Sequence, residues 1–211
     1  SKIPFLISMC IMACCISCSL KATTTRSMEH TYITPITMES QVSEKNSLIV
    51  KIFGELSAPG TVIVHYWSDD GPKLESMPIR SSGTNYHVNI FRLRSDTAYK
   101  YRVFAINASG DRMGSDVDSF RTGSLPVGLE NAKFNVIQGS SSYPLTFLEF
   151  RQKTFYGLVA IDSDGFVVWY YEAIDGHEPY VMDQRDNGNI VYLDGGFGVV
   201  AYGLAEITPL G

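Results

Sequence analysis

The stretch GLVAIDSDGFVVWYY, residues 157–171, is echoed by GLAEITPLG, residues 203–211. Laying Gly157–Gly165 over Gly203–Gly211 pairs glycine with glycine at both ends, Leu158 with Leu204 and Ile161 with Ile207, at an offset of 46 residues. A sheet unit that recurs every ~40–50 residues cannot bury both of its faces until a neighbouring copy stacks on it. The repeat therefore predicts stacked sheets of short strands. It also carries the expectation that the chain ends inside its own main domain, an incomplete stack.

Working outward, FYGLVAID and GFVVWYY form a hairpin whose turn is Ser163, Asp164 and Gly165 flanked by Asp162, and YVMDQR and NIVYLD form another around Asp186 to Asn189. KFNVIQG and LTFLEFRQ precede them, with a Ser-rich turn ending at Tyr143-Pro144 between. GGFG and VVAYGLAEITPLG follow. Short strands at this spacing fit one blade of a β-propeller and the start of a second over residues 130–211. Asp162, Asp164 and Gly165 resemble the opening of an EF-hand loop, but the remaining ligands and the distal Glu are missing, so a hairpin turn explains them. Gly195, Gly196 and Gly198 neither make GxGxxG nor open a helix, which removes a phosphate cradle.

Composition agrees with an all-β chain. It is 45% apolar and 12% aromatic, enough for a core, and no window beyond the first twenty residues repeats with a helical period. A net charge of −5 without a Lys/Arg run argues against nucleic acid, because a phosphate-binding surface needs a concentrated positive field. All the cysteines, Cys10, Cys14, Cys15 and Cys18, fall at the start of the chain, so nothing after them can form a disulfide or a thiolate metal site. No metal and no cofactor is expected.

Residues 1–20 read as an address. Lys2 precedes IPFLISMCIMACCIS, an uncharged apolar run of signal-peptide length. Ile11, Met12, Ala13 and Cys14 resemble a bacterial lipobox, making Cys14 the lipidation candidate and Cys18 the alternative; the other reading is an ordinary cleaved signal peptide. Export to the periplasm or cell envelope follows, with a lipid anchor to the membrane in the first case. KATTTRSMEH over residues 21–30 suits a flexible tether with a solvated His30.

Between residues 31 and 122, roughly seven alternating segments separated by turn residues predict a β-sandwich. In TVIVHYWS, Val62, Val64 and Tyr66 share one face, and Ile63, His65 and Trp67 the other. The run from Leu93 to Tyr101, LRSDTAYKY, resembles the fibronectin type III signature, in which a Leu and a turn precede a Tyr-x-Tyr strand. That resemblance implies a tyrosine corner at Tyr99, a core tryptophan at Trp67 and an architectural module without an active site. His65 and His87 lie within strands and read as ordinary residues. FRTGSLPVGLE, with Gly123, Pro126 and Gly128, marks the linker over residues 123–129. The sandwich is expected to fold by itself, and the blade segment to be unstable alone.

TGSLP, GLVAIDSDGFVVWYYE, DNGNIVYLDGG and AEITPLG together resemble the bacterial aryl-sulfate sulfotransferase family, in which an N-terminal sandwich precedes a six-bladed propeller. The resemblance implies transfer of a sulfuryl group from a phenolic sulfate ester to an acceptor phenol, through a sulfohistidine beyond Gly211 and without a nucleotide sulfate donor. Within this chain it leaves His177 and Arg185 as candidate sulfate contacts; the alternative reading of each is a plain surface residue. Residues 160–169 also resemble the tryptophan-docking motif of quinoprotein propellers, A-x-D-x-x-x-G-x-x-x-W with one residue deleted, so Trp169 and Gly165 are structural in either family. The competing functions are therefore a quinoprotein-like dehydrogenase and a non-catalytic surface or adhesion scaffold.

Overall fold

The computed structural model describes residues 32–135, 145–152, 154–173, 177–196 and 201–210. The leader, its cysteines Cys14 and Cys18, the tether with His30, and the Ser-rich turn before Leu145 lie outside the described residues. Contacts divide the chain into Ser1–His30 and Thr31–Gly211, and all that follows concerns the second unit. It is all-β: the described residues form fifteen strands in antiparallel sheets, and none forms a helix long and apolar enough to cross a membrane.

The first nine strands make two sheets. One has the order β1 (Pro35–Val42), β2 (Val50–Leu56), β6 (Asn85–Ile90). The other runs β4 (Leu74–Glu75), β3 (Thr61–Trp67), β7 (Ala98–Ile106), β8 (Arg112–Gly114), with β5 (Ile79–Arg80) also on β3 and β9 (Asp118–Arg121) also on β7. Both alternate along their strands, and their inward residues, among them Ile52, Val64, Val88 and Val103, close on one shared core. Each such side chain buried contributes ~1.5–3 kcal/mol.

The first strand starts at Pro35, as suits a residue without an N–H. LESMPIR is split into the two-residue strands β4 and β5, because Pro78 cannot donate to a ladder. Trp67 is not the core aromatic of β3. It lies on the outward face with the Lys73 ammonium 5.0 Å from its ring, and the inward position belongs to Tyr66, 4% exposed. The tyrosine corner is present: the Arg94 backbone N–H donates to the Tyr99 hydroxyl at 2.9 Å. Tyr66 ties the same sheet-crossing connection from the other side, donating to the Phe91 carbonyl at 2.9 Å.

Two three-stranded meanders follow, β10 (Thr146–Gln152), β11 (Phe155–Ile161), β12 (Val167–Glu172) and then β13 (His177–Gln184), β14 (Ile190–Gly196), β15 (Ala201–Ile207). The bounds of β11 and β15 differ by 46 residues at both ends, so the sequence repeat is a repeat of strands. KFNVIQG contributes one bridge, Lys133 to Phe166, within its described part. In the β11–β12 turn, Asp162 Oδ1 accepts the backbone N–H groups of Asp164 and Phe166 at 3.0 Å each. Gly165 has φ +81°, and a Cβ there would stand 1.8 Å from the Phe134 carbonyl oxygen, so no other residue fits.

The β10–β12 sheet is buried on both sides. One face packs Phe155, Val159 and Tyr170 against Leu129 of the linker region and Leu48 of the β1–β2 connection. The other packs Leu158, Ala160 and Trp169 against Ile190 and Tyr192 of β14, together with Ile49. Leu48 and Ile49 thus join the first nine strands to both later cores. Polar ties reinforce the junction: Asn46 Nδ2 donates to the Tyr170 carbonyl at 2.7 Å, and the Ser47 N–H to the Tyr170 hydroxyl at 2.9 Å.

Burial raises the phenol pKa of Tyr66 and of Tyr86 to about 12, and raises those of Tyr99, Tyr101 and Tyr192 as well. In the unfolded chain these groups ionise near pH 10. The folded state therefore binds more protons between the two values, and stability is full below about pH 10 and falls as pH rises toward 12. Denaturant midpoints measured across that range should decline, with the part of the phenolate absorbance due to these five tyrosines deferred until the chain unfolds; a flat midpoint through pH 12 would contradict the burial.

Candidate functional site

His177 is the first residue of β13 rather than part of the loop before it. The register places His177 opposite Gly196 and Pro179 opposite Asp194, so His177 and Asp194 are diagonal neighbours on one face. The imidazole Nδ1 lies 2.8 and 2.9 Å from the two Asp194 carboxylate oxygens, with the side chains 39% and 21% exposed. A carboxylate at that distance favours a proton on Nδ1 and fixes the ring's orientation. Behind this pair the hydroxyls of Tyr171 and Tyr192 meet at 3.0 Å across the junction between the two meanders. Burial, then the Tyr171 hydroxyl and the Asp194 charge, push the Tyr192 phenol up.

Arg185 is elsewhere. It opens the β13–β14 turn, its N–H donating to the Asn189 carbonyl and its carbonyl accepting from Gly188, both at 2.8 Å, and it is exposed. His177 and Arg185 flank β13 from opposite ends, roughly 26 Å apart at the usual strand rise. The structure does not bring the two candidates together on one anion.

Two charged clusters escaped the sequence reading. Glu178, 5% exposed, pairs with Arg151 of β10 and accepts from the Tyr180 hydroxyl, bridging the two meanders. Arg94 binds Asp162 at 2.6 Å and Asp164 at 2.5 Å, with its guanidinium 4.0 Å from the Phe166 ring centroid. Partial burial alone would lower the Arg94 pKa, but the hydrogen bonds it donates to Asp164 and Asp162 raise it above the ordinary value. The residues resembling a calcium loop are thus the anchor of an arginine from the tyrosine corner. Among the described residues no cluster of His, Cys, Asp and Glu could hold a metal ion.

Of the remaining candidates, Gly165 lies in the β11–β12 turn at positive φ, Tyr99 accepts the Arg94 N–H, and Trp169, 6% exposed, donates its indole N–H to the Pro209 carbonyl at 2.8 Å. Pro209 lies in the turn after β15, the strand repeating β11, so this bond joins one copy to the next. Counting residues outward from the Asp186–Asn189 turn sets Tyr180 against Asp194, and only the register shift between Tyr180 and Met182 brings His177 diagonal to it; the Arg94 contact spans 68 residues and has no local signal.

Trp169→Phe keeps most of the ring and removes the donor, and should cost about 1 kcal/mol; Trp169→Ala opens a cavity and should cost ~3–5 kcal/mol. Urea denaturation followed by circular dichroism checks both, and equal stability of all three proteins would contradict the docking role. No family model matches the sequence, and no curated protein matches it.

Proposed function

We propose that this chain is the N-terminal portion of an aryl-sulfate sulfotransferase, a fibronectin-like sandwich leading into the first blades of a propeller. The observation that carries this reading is the repeated unit itself. Strands β11 and β15 keep the 46-residue offset, and Trp169 of one copy bonds to the turn of the next. The order of a two-sheet module followed by stacked meanders supports it, as do the sequence segments resembling that family. Leu204, the repeat partner of fully buried Leu158, is 75% exposed, as expected of a sheet whose next neighbour comes from a further blade.

On this reading an imidazole nitrogen of a later blade attacks the sulfur of a phenolic sulfate. The sulfur–oxygen bond to the ring breaks and the phenolate leaves. An acceptor phenol, losing its proton to a base, then takes the sulfuryl group and restores the imidazole. His177 is the group of this chain suited to the proton or to the sulfate oxygens, because Asp194 fixes its orientation. Arg185 has no part in that site. Export with a lipid anchor at Cys14 belongs to the same reading.

The Trp169 bond to Pro209 also favours the quinoprotein-like alternative, whose blades use such a docking tryptophan. One experiment separates them. The full-length gene product, incubated with 4-nitrophenyl sulfate, should release no more than one equivalent of nitrophenolate without phenol and turn over continuously with it, and His177→Ala should lower the rate by ~10²-fold or more. No release would contradict sulfuryl transfer, and dye reduction dependent on added pyrroloquinoline quinone would favour the alternative.

A further inference from the structure

The outward face of the β4–β3–β7–β8 sheet gathers charges that are scattered along the sequence. Strand alternation puts Trp67 beside Lys100, His65 beside Arg102 and Ile63 beside Phe104, while Arg112 of β8 faces outward from beside Ile106. The guanidiniums of Arg112 and Arg102 lie 3.8 and 5.4 Å from the same Phe104 ring centroid, so their central carbons are at most about 9 Å apart. Arg102 Nε donates to the Ser115 carbonyl at 2.5 Å, while Arg112 and the Glu75 carboxylate both lie against His65 Nε2, at 2.7 and 2.6 Å, an atom that can hydrogen-bond only one of them at a time. Gly114 makes room for this packing, since a Cβ there would come within 2.8 Å of both Arg102 Nε and the Phe104 ring.

Two like charges held on one ring repel each other; among the described residues neither arginine forms a salt bridge with a carboxylate, and the nearest negative charge to Arg112 that these contacts define is Glu75, about 5 Å away across His65. On the same face, the carboxylates Glu75 and Asp69 are taken by His65 and Lys100, while Lys73 lies over Trp67 and Arg121 adds a further cation. A locally basic face on a chain of net charge −5 is a departure that calls for an anion. A guanidinium stacked face-on keeps in-plane N–H donors for a sulfate or carboxylate. The Arg102–Arg112 pair is not among the residues through which the later meanders meet the first nine strands, such as Asn46, Ser47, Leu48, Ile49, Phe91 and Arg94.

We infer that this sheet face binds an anionic polysaccharide, with the Arg102–Arg112 pair taking a sulfate or carboxylate group and Trp67 providing a platform for a neighbouring sugar ring. The inference does not rest on the sulfotransferase reading. A glycan fits better than nucleic acid because Glu75 and Asp69 interrupt the positive field, which suits spaced charges rather than a continuous phosphate backbone.

The test measures binding of the full chain to heparin, to polygalacturonate and to neutral dextran, by Trp fluorescence and affinity electrophoresis. Heparin or polygalacturonate should bind and be released by salt, and dextran should not bind. The Arg102→Gln, Arg112→Gln double variant should lose about tenfold or more in affinity. Trp67→Ala should bind several-fold more weakly with every charge retained. Thermal melts near that of the parent would show that the variants are folded. Absence of binding to both acidic polymers, parental affinity in the double variant or in Trp67→Ala, or equally tight binding of duplex DNA or anionic lipid vesicles would overturn the inference.

Discussion

A three-stranded sheet with FYGLVAI at its centre and VVWYYE at its side has no hydrophilic face to offer water, so it needs an apolar layer on each side. Both layers are present. The linker and Leu48 cover one face, and the next meander with Ile49 covers the other. Truncating either residue to alanine would cost ~2–5 kcal/mol, a large part of the net stability of an ordinary domain. The β1–β2 connection therefore belongs to the later sheets as much as to its own. Arg94 repeats this arrangement electrostatically, reaching from the tyrosine corner to the β11–β12 turn, so both contacts between the halves begin at connections of the first module.

Much of this was legible in the sequence because the signals are local. Alternation in TVIVHYW gave the faces of β3, Asp162 to Gly165 gave a turn that only glycine could complete, and the repeat at 46 residues gave two matching strands. Tyr99 could be assigned its corner because its partner is five residues away. Trp67 was misjudged because its core position came from the fibronectin resemblance; the alternation alone already opposed it to Val62 and Val64. The junction was not legible at all. Asn46 and Tyr170 are 124 residues apart, and nothing in NSLIV distinguishes a strand entry from a plug for a second core.

The candidate site divides the same way. His177 stood out as the sole histidine after the linker, but its meaning changed once Asp194 was found diagonally across the hairpin. That contact fixes the orientation of the ring. Arg185 lost its role to simple distance, since the strand that begins with His177 ends just before it. The basic sheet face was invisible along the chain because period-2 alternation and pairing between separate strands create it.

Native-state hydrogen exchange on residues 32–210 tests the central claim, that burial on both faces welds the β10–β12 sheet to the first nine strands. The account predicts that β11 amides exchange as slowly as those of β2, β3 and β7, and only through the same global opening. Exchange of β11 through an easier opening, with the first module still protected, would contradict it.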